Sequence, residues 1–240
     1  MVVVLKYYIL QLVCIVWLIF GVASICGSEV VVFDRVTTVD TPIRLKVLTK
    51  SRFFSAGGRL VDIYLDDTHL KRILTGGDGY GYLKHISQRP GLKKIAAHSE
   101  TSSSSGLLLV MRKNDKAIVI DLEGALKDTL FSNELRDKSK QAVNAISKDY
   151  KIIYLSRYVG IGVSRDWLEK EGFPESVIFR WKGPNLLKAL KEKGVNLHAV
   201  IGSSAVISAA SKHIERRYTF EETKDGQTVK DWDEILQLLQ

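Results

Sequence analysis

The sequence predicts a small antiparallel β-sandwich followed by an α/β domain with a doubly wound parallel sheet. Two observations carry this reading. Between about residues 30 and 112, short segments rich in Val, Ile, Leu and Tyr alternate with turn residues at regular spacing. From about residue 115 onward, apolar strand-like runs alternate with helical patterns, as in successive βαβ units. With 240 residues and 45% apolar content, the chain can build a core for each of two domains.

Residues 1–28 stand apart from both. Lys6 precedes an apolar run over residues 7–23, interrupted by Gln11, and the small residues Ser24, Gly27 and Ser28 follow. This is the pattern of a secretory signal peptide or an uncleaved membrane anchor. The run is at the short limit for spanning a bilayer, so the signal peptide is preferred. Either reading makes the protein exported: periplasmic, extracellular or held at a membrane. Cys14 and Cys26 are the only cysteines. A chain cut after Ser28 would therefore have no disulfide, thiolate metal site or catalytic cysteine.

Residues 29–113 are expected to form the sandwich. Its strands are read in VVVFDRV, PIRLKVL, GRLVDIYLDD, YGYLKHI, GLKKIAAHS and GLLLVMRK, parted by turns at Thr41-Pro42, Gly57-Gly58, residues 76–79 and Pro90-Gly91. The glycines of residues 77–81 do not lead into a helical pattern, so they serve turns rather than a phosphate-binding loop. The serines at 102–105 are read as a flexible hairpin tip or surface loop. Residues 76–98 resemble the late strands of bacterial immunoglobulin-like domains, in which an Asp-x-Gly turn and a Pro-Gly turn bracket one strand. Nothing in this region has catalytic spacing, and its expected role is to hold, space or present the second domain.

Residues 114–240 open on KAIVIDLEGAL, residues 116–126, a buried strand that delivers Asp121 and Glu123 to its carboxyl end. Ligands of parallel sheets sit beyond such strand ends, which makes both carboxylates site candidates. Helices are predicted at 133–147, 164–171, 185–193 and 204–213, with Ser164 capping the second and Gly172 ending it. Strands are predicted at 150–155, 197–201 and 216–220, and Asp231 with Glu234 forms a capping pair for a last helix.

Asp-Leu-Glu-Gly-Ala-Leu at 121–126 resembles the first motif of the haloacid dehalogenase (HAD) superfamily of phosphatases, Asp-x-Asp-Gly-Thr-Leu. Glu123 and Ala125 depart from it. The order of the later segments, IIYLSR, DWLEKEGFP, KGPNLLKALKEKGV and AVIGSS, resembles the lipin-like branch of that superfamily over residues 115–240. The resemblance implies a fold and a set of roles. Asp121 would attack a phosphoryl group, and Glu123 would protonate the leaving oxygen. Ser156, Arg157 and Lys182 would bind the phosphate, with Lys182 preferred to Lys188. Mg²⁺ would bind Asp121, the Glu123 carbonyl and an acid of the fourth motif.

That acid is missing. In the family's register Ser203, Ser204 and Ile207 replace its Asn, Arg and metal-binding Asp. Asp128, Asp137 or Asp149 would have to supply a carboxylate from elsewhere. The gaps of 35 positions from Asp121 to Ser156 and 26 from Ser156 to Lys182 leave no room for a cap domain. An open site of that kind suits a large phosphoester such as a lipid headgroup or polymer. The five histidines show no metal-ligand pairing.

The charge of +8 is spread along the chain, with basic stretches at 89–94 and 188–193. Spread charge without an aromatic RNA-binding or zinc-finger signature argues against a nucleic-acid partner and leaves a weak attraction to anionic lipid or a phosphate-bearing polymer. Two functions are expected on this basis. One is an exported HAD-type phosphatase; the other is a non-catalytic phosphatase-like binding module displayed by an immunoglobulin-like domain.

Overall fold

The computed structural model describes residues 29–240 apart from 52–53, 101 and 130–133. The reading of residues 1–28 as signal or anchor lies outside the described residues. Among those described, no helix is long and apolar enough to cross a membrane.

The first domain is a two-sheet sandwich. Strands β1 (Glu29–Val32), β3 (Ile43–Lys50) and β6 (Tyr80–His85) form one sheet in the order β1-β3-β6. Strands β2 (Arg35–Thr38), β4 (Leu60–Leu65), β5 (Thr68–Leu74), β7 (Gly91–His98) and β8 (Ser103–Met111) form the other, in the order β2-β8-β7-β4-β5. The run VVVFDRV, expected as one strand, is two, because the chain crosses from one sheet to the other at Asp34. Strand β2 then pairs parallel to β8, so the sandwich is not wholly antiparallel. A first strand split between the sheets, with this order of the rest, is the connectivity of an immunoglobulin-like sandwich. Between the sheets lie alternate residues such as Leu45, Val47, Ile63, Ile95 and Val110.

Two expectations are corrected here. The serines at 103–105 belong to β8 and pair with β7 from Ala96 to His98, so they are sheet and not a loop tip. Strand β5 has no apolar signature of its own because polar side chains dominate it; Asp66 and Asp67, both at positive φ, turn the chain into it.

The second domain holds a six-stranded parallel sheet. Strands β9 (Lys116–Asp121), β10 (Lys151–Ser156), β11 (Ile178–Arg180), β12 (Asn196–Ile201), β13 (Arg216–Thr219) and β14 (Gln227–Thr228) are ordered β11-β10-β9-β12-β13-β14. Every pairing is parallel, and the direction of strand addition reverses between β9 and β12. Helices α1 (Ser139–Asp149), α2 (Ile161–Glu171) and α5 (Trp232–Leu239) cover one face. Helices α3 (Asn185–Glu192) and α4 (Ser204–Ala210) cover the other.

The predicted helices are present with shifted ends. The helix expected from 133 begins at Ser139, after Lys138 at φ 58, and Leu135 instead bridges to Lys127. Asp231 accepts from the Glu234 amide while the Glu234 carboxylate accepts from Lys230, the expected capping arrangement.

The two domains share a core. Leu107, Leu109 and Met111 of β8 join Val36 against Val119, Ile153 and Leu155 of the parallel sheet. Leu108 and Val110 point the other way, into the sandwich. Burial on both faces explains why GLLLVM is a continuous apolar run where its neighbours alternate. Asp34 fastens the junction: its carboxylate accepts from the amides of Leu107 (2.9 Å) and Ile178 (2.7 Å) and from Arg165 (2.6 Å).

Candidate functional site

The carboxyl ends of β9, β10 and β12 meet where the strand order reverses, the position at which open α/β sheets hold their ligands. Strand β9 delivers Asp121 there, and a single π-helical turn over Leu122–Leu126 follows. That turn swings Glu123 beneath the end of β10. Gly124 is required in it, because a Cβ there would meet the Ser203 amide at 2.4 Å and Asp121 Oδ2 at 2.6 Å.

Glu123 is almost wholly buried and its carboxylate is fully engaged. Oε2 accepts from the Arg157 amide at 3.0 Å. Oε1 accepts from the Ser156 hydroxyl at 3.2 Å, and from the amides of Tyr158 and Val159 at 3.3 and 3.5 Å. The single Ser156 proton is shared between Glu123 and the Val159 carbonyl, which lies nearer at 2.9 Å, and the Ser156 oxygen accepts from the Ser164 hydroxyl at 3.0 Å. Successive backbone N–H groups thus wrap one carboxylate, a nest for an anion that the chain itself supplies.

Asp121 has no exposed surface. Its Oδ2 accepts from the Ser203 amide at 3.1 Å and from the Ser203 hydroxyl at 2.8 Å. Arg157 donates to the same hydroxyl at 2.6 Å, and its guanidinium stands 3.9 Å from Oδ2. Oδ1 is buried and has no hydrogen-bond partner among the described residues. Burial pushes the Asp121 carboxyl above the ordinary carboxylate range; the Ser203 bonds pull it back, and the Glu123 charge pushes it up again.

The structure therefore brings Asp121, Glu123, Ser156 and Arg157 into one network. Lys182 is not joined to it. That side chain is exposed in the turn before α3, and no described hydrogen bond or ion pair links it to the carboxylates. Its charge is felt by Lys46 of the sandwich. The expected open site is also corrected. Asp121 is sealed, not by a cap domain but by the backbone of Gly124 and Gly202 and the side chains of Ser203 and Arg157. The cavity that touches the network, of about 80 Å³, is lined by Glu123, Lys127, Ser164 and Trp167 among others and does not include Asp121.

The donors do not fit Mg²⁺. The ion wants about six hard oxygens in near-octahedral array. Among the described residues no three His, Cys, Asp or Glu side chains gather as a metal cluster, and Asp121 Oδ1 is the single carboxylate oxygen of the pair left over. Asp128 and Asp137 are not joined to the network by any described contact. They lie beyond the π-helical turn, and Asp149 closes α1.

Three participants were missed or misread in the sequence. Ser164, expected as a helix cap, lies inside α2 and buttresses Ser156. Ser203, read as a replacement for an Asn, is the main partner of Asp121. Glu221, beyond the end of β13, accepts from the Ser204 amide at 2.9 Å beside the site. An acid just past a predicted strand end was the signal for it.

No protein-family model matches the chain, and no curated protein matches it. Solved structures are similar to parts of it. The CARDB domain of the PF1109 protein from Pyrococcus furiosus matches over 36% of this chain and 92% of its own, at 16% identity and a TM-score of 0.27. The D0-D1 domain of intimin matches over 38% and 56%, at 13% identity and a TM-score of 0.30. XAC1771, a carbohydrate acetylesterase from Xanthomonas citri, matches over 76% and 48%, at 10% identity and a TM-score of 0.32.

Proposed function

We propose that this chain is an exported, non-catalytic module in which a doubly wound, HAD-type phosphatase-like domain is displayed by an immunoglobulin-like sandwich and serves in binding. One observation carries the reading: the carboxylate in the nucleophile's position is sealed from solvent and held by Ser203, with Arg157 against it. A nucleophile must come within about 3–3.5 Å of the atom it attacks. Asp121 cannot do so without dismantling its own support. Glu123, whose family counterpart moves a proton, spends its hydrogen-bonding capacity on the 156–159 segment. Both groups have become structural.

One observation favours a second reading. The unpartnered, buried Oδ1 of Asp121 is an unsatisfied group of the kind found at reaction centres. A chain that opened at Arg157 would present that oxygen to a phosphoester, and the protein would then be a phosphatase acting on a lipid headgroup or polymer.

Turnover separates the two. Full-length protein and its Asp121→Asn variant are given an artificial phosphomonoester and phosphatidate, with and without Mg²⁺. The module reading expects the same background from both proteins under all conditions. Turnover that Mg²⁺ raises and the substitution abolishes would establish the phosphatase instead.

A further inference from the structure

The sheet β1-β3-β6 turns one face to the sandwich core and the other outward, and the outward face is neither an ordinary polar surface nor a covered one. Phe33, Tyr80 and Tyr82 lie side by side on it, with ring centroids 6.3 Å apart for the first pair and 6.4 Å for the second. Tyr82 is 52% exposed. The Lys46 ammonium rests over Tyr80 at 3.9 Å and over Phe33 at 4.8 Å. Arg44 and Lys84, both exposed, stand directly opposite each other across β3 and β6.

A like-charge pair facing across two strands destabilises a sheet, so the fold itself does not call for Arg44 and Lys84 there. Among the described residues none of Arg44, Lys46 and Lys84 has an ion-pair partner, while Glu29 on the same face is paired with Lys50. Burial lowers the proton affinity of Lys46, and the charges of Arg35 and Lys182 lower it further, against the opposing pull of Asp78. Arg35 and Lys182 thus add to the positive charge around Lys46.

Aromatic rings with cations beside them are the composition of a membrane–water interface, where Tyr sits at headgroup level and Lys or Arg reaches the phosphates. The position of the sheet in the chain agrees. Strand β1 is an edge of this sheet, and six positions separate Glu29 from Ala23, the end of the apolar run. Six residues reach at most about 20 Å. Were the apolar run retained as an anchor, the start of β1 would be held within about 20 Å of the bilayer. Lys46 covers the faces of Tyr80 and Phe33, which leaves little open ring surface for stacking the bases of a nucleic acid.

We propose that the outer face of the β1-β3-β6 sheet, through Phe33, Arg44, Lys46, Tyr80, Tyr82 and Lys84, docks flat on a bilayer containing anionic lipid. The docking does not depend on whether the α/β domain is catalytic.

The test uses full-length protein with Cys14→Ser and Cys26→Ser, carrying one fluorescent label at Tyr82→Cys or, on the opposite sheet, at Thr68→Cys. It is mixed with vesicles of brominated phosphatidylcholine, with or without phosphatidylglycerol. The label at 82 should be quenched when phosphatidylglycerol is present, less so at high salt, and the label at 68 should not. Arg44→Gln and Lys84→Gln should each weaken vesicle affinity about fivefold. Neither should lower the melting temperature, since each removes a like-charge pair. Equal quenching of both labels, quenching unaffected by phosphatidylglycerol, or undiminished affinity of the two Gln variants would each overturn the proposal. So would cations that matter for binding a soluble polyanion such as polyphosphate but not for vesicles.

Discussion

Replacing Glu123 by Ala removes the acceptor around which residues 156–159 are folded. The buried carboxylate receives one hydroxyl and three backbone N–H groups, the two shortest contacts being 3.0 and 3.2 Å. A hydrogen bond to a charged group contributes about 1.5–3 kcal/mol, and a buried donor left without a partner costs about 1–3 kcal/mol. The 3.3 and 3.5 Å contacts are long and count for little. The Arg157 amide is the donor left without its acceptor, while the Ser156 hydroxyl can turn wholly to the Val159 carbonyl; allowing for water entering the space, the expected loss is about 2–4 kcal/mol. Glu123→Gln keeps one carbonyl oxygen and should lose about half as much. The assay is urea unfolding of the α/β domain, read by Trp232 and its neighbours, together with hydrogen exchange at the amides of 157–159. These amides should lose protection in the Ala variant before the rest of the domain does. An Ala variant within about 1 kcal/mol of the parent, with those amides still protected, would refute the role given to Glu123.

The remaining predictions concern the two buried aspartates. Asp121, its carboxyl held above the usual range chiefly by burial, binds its proton more tightly folded than unfolded, so its contribution is full below the ordinary value of 3.8 and is lost as pH rises through the folded value. Asp121→Asn should therefore gain on the parent in melting temperature as pH rises above the ordinary carboxylate value, and a difference that stays constant with pH would contradict the shift. Asp34→Ala leaves two amides and Arg165 without their acceptor at the domain junction, and should cost about 3–5 kcal/mol. Scanning calorimetry should then resolve two transitions where the parent shows one.

Much of the fold was legible because its strands obey one rule each. The alternation in β3 and β4 and the unbroken run in β9 report burial on one face and on two, and the βαβ rhythm carried the parallel sheet. What escaped was set by contacts between distant segments. Ser103 to Ser105 look like a loop in isolation but complete a ladder with β7. Asp34 is read within one strand, yet it marks where that strand becomes two and where the domains join.

The candidate site was legible as a cluster but not in its chemistry. The resemblance in motif order is what put Ser156 beside Asp121 and Glu123. Nothing local to those residues shows that Ser203, some eighty positions on, would close over Asp121, or that Glu123 would turn its carboxylate to the backbone of 157–159. Lys182 has a motif-like neighbourhood, but the exposed turn that carries it leaves the ammonium outside the network.

The central claim is that Asp121 is a supporting carboxylate out of reach of any ligand. Carbodiimide labelling of the native full-length protein, read by peptide mass, tests it most directly. The account predicts that Asp121 is labelled only after unfolding, while the exposed Glu222 is labelled at once. Labelling of Asp121 in the folded protein, at a rate comparable to that of Glu222, would contradict it.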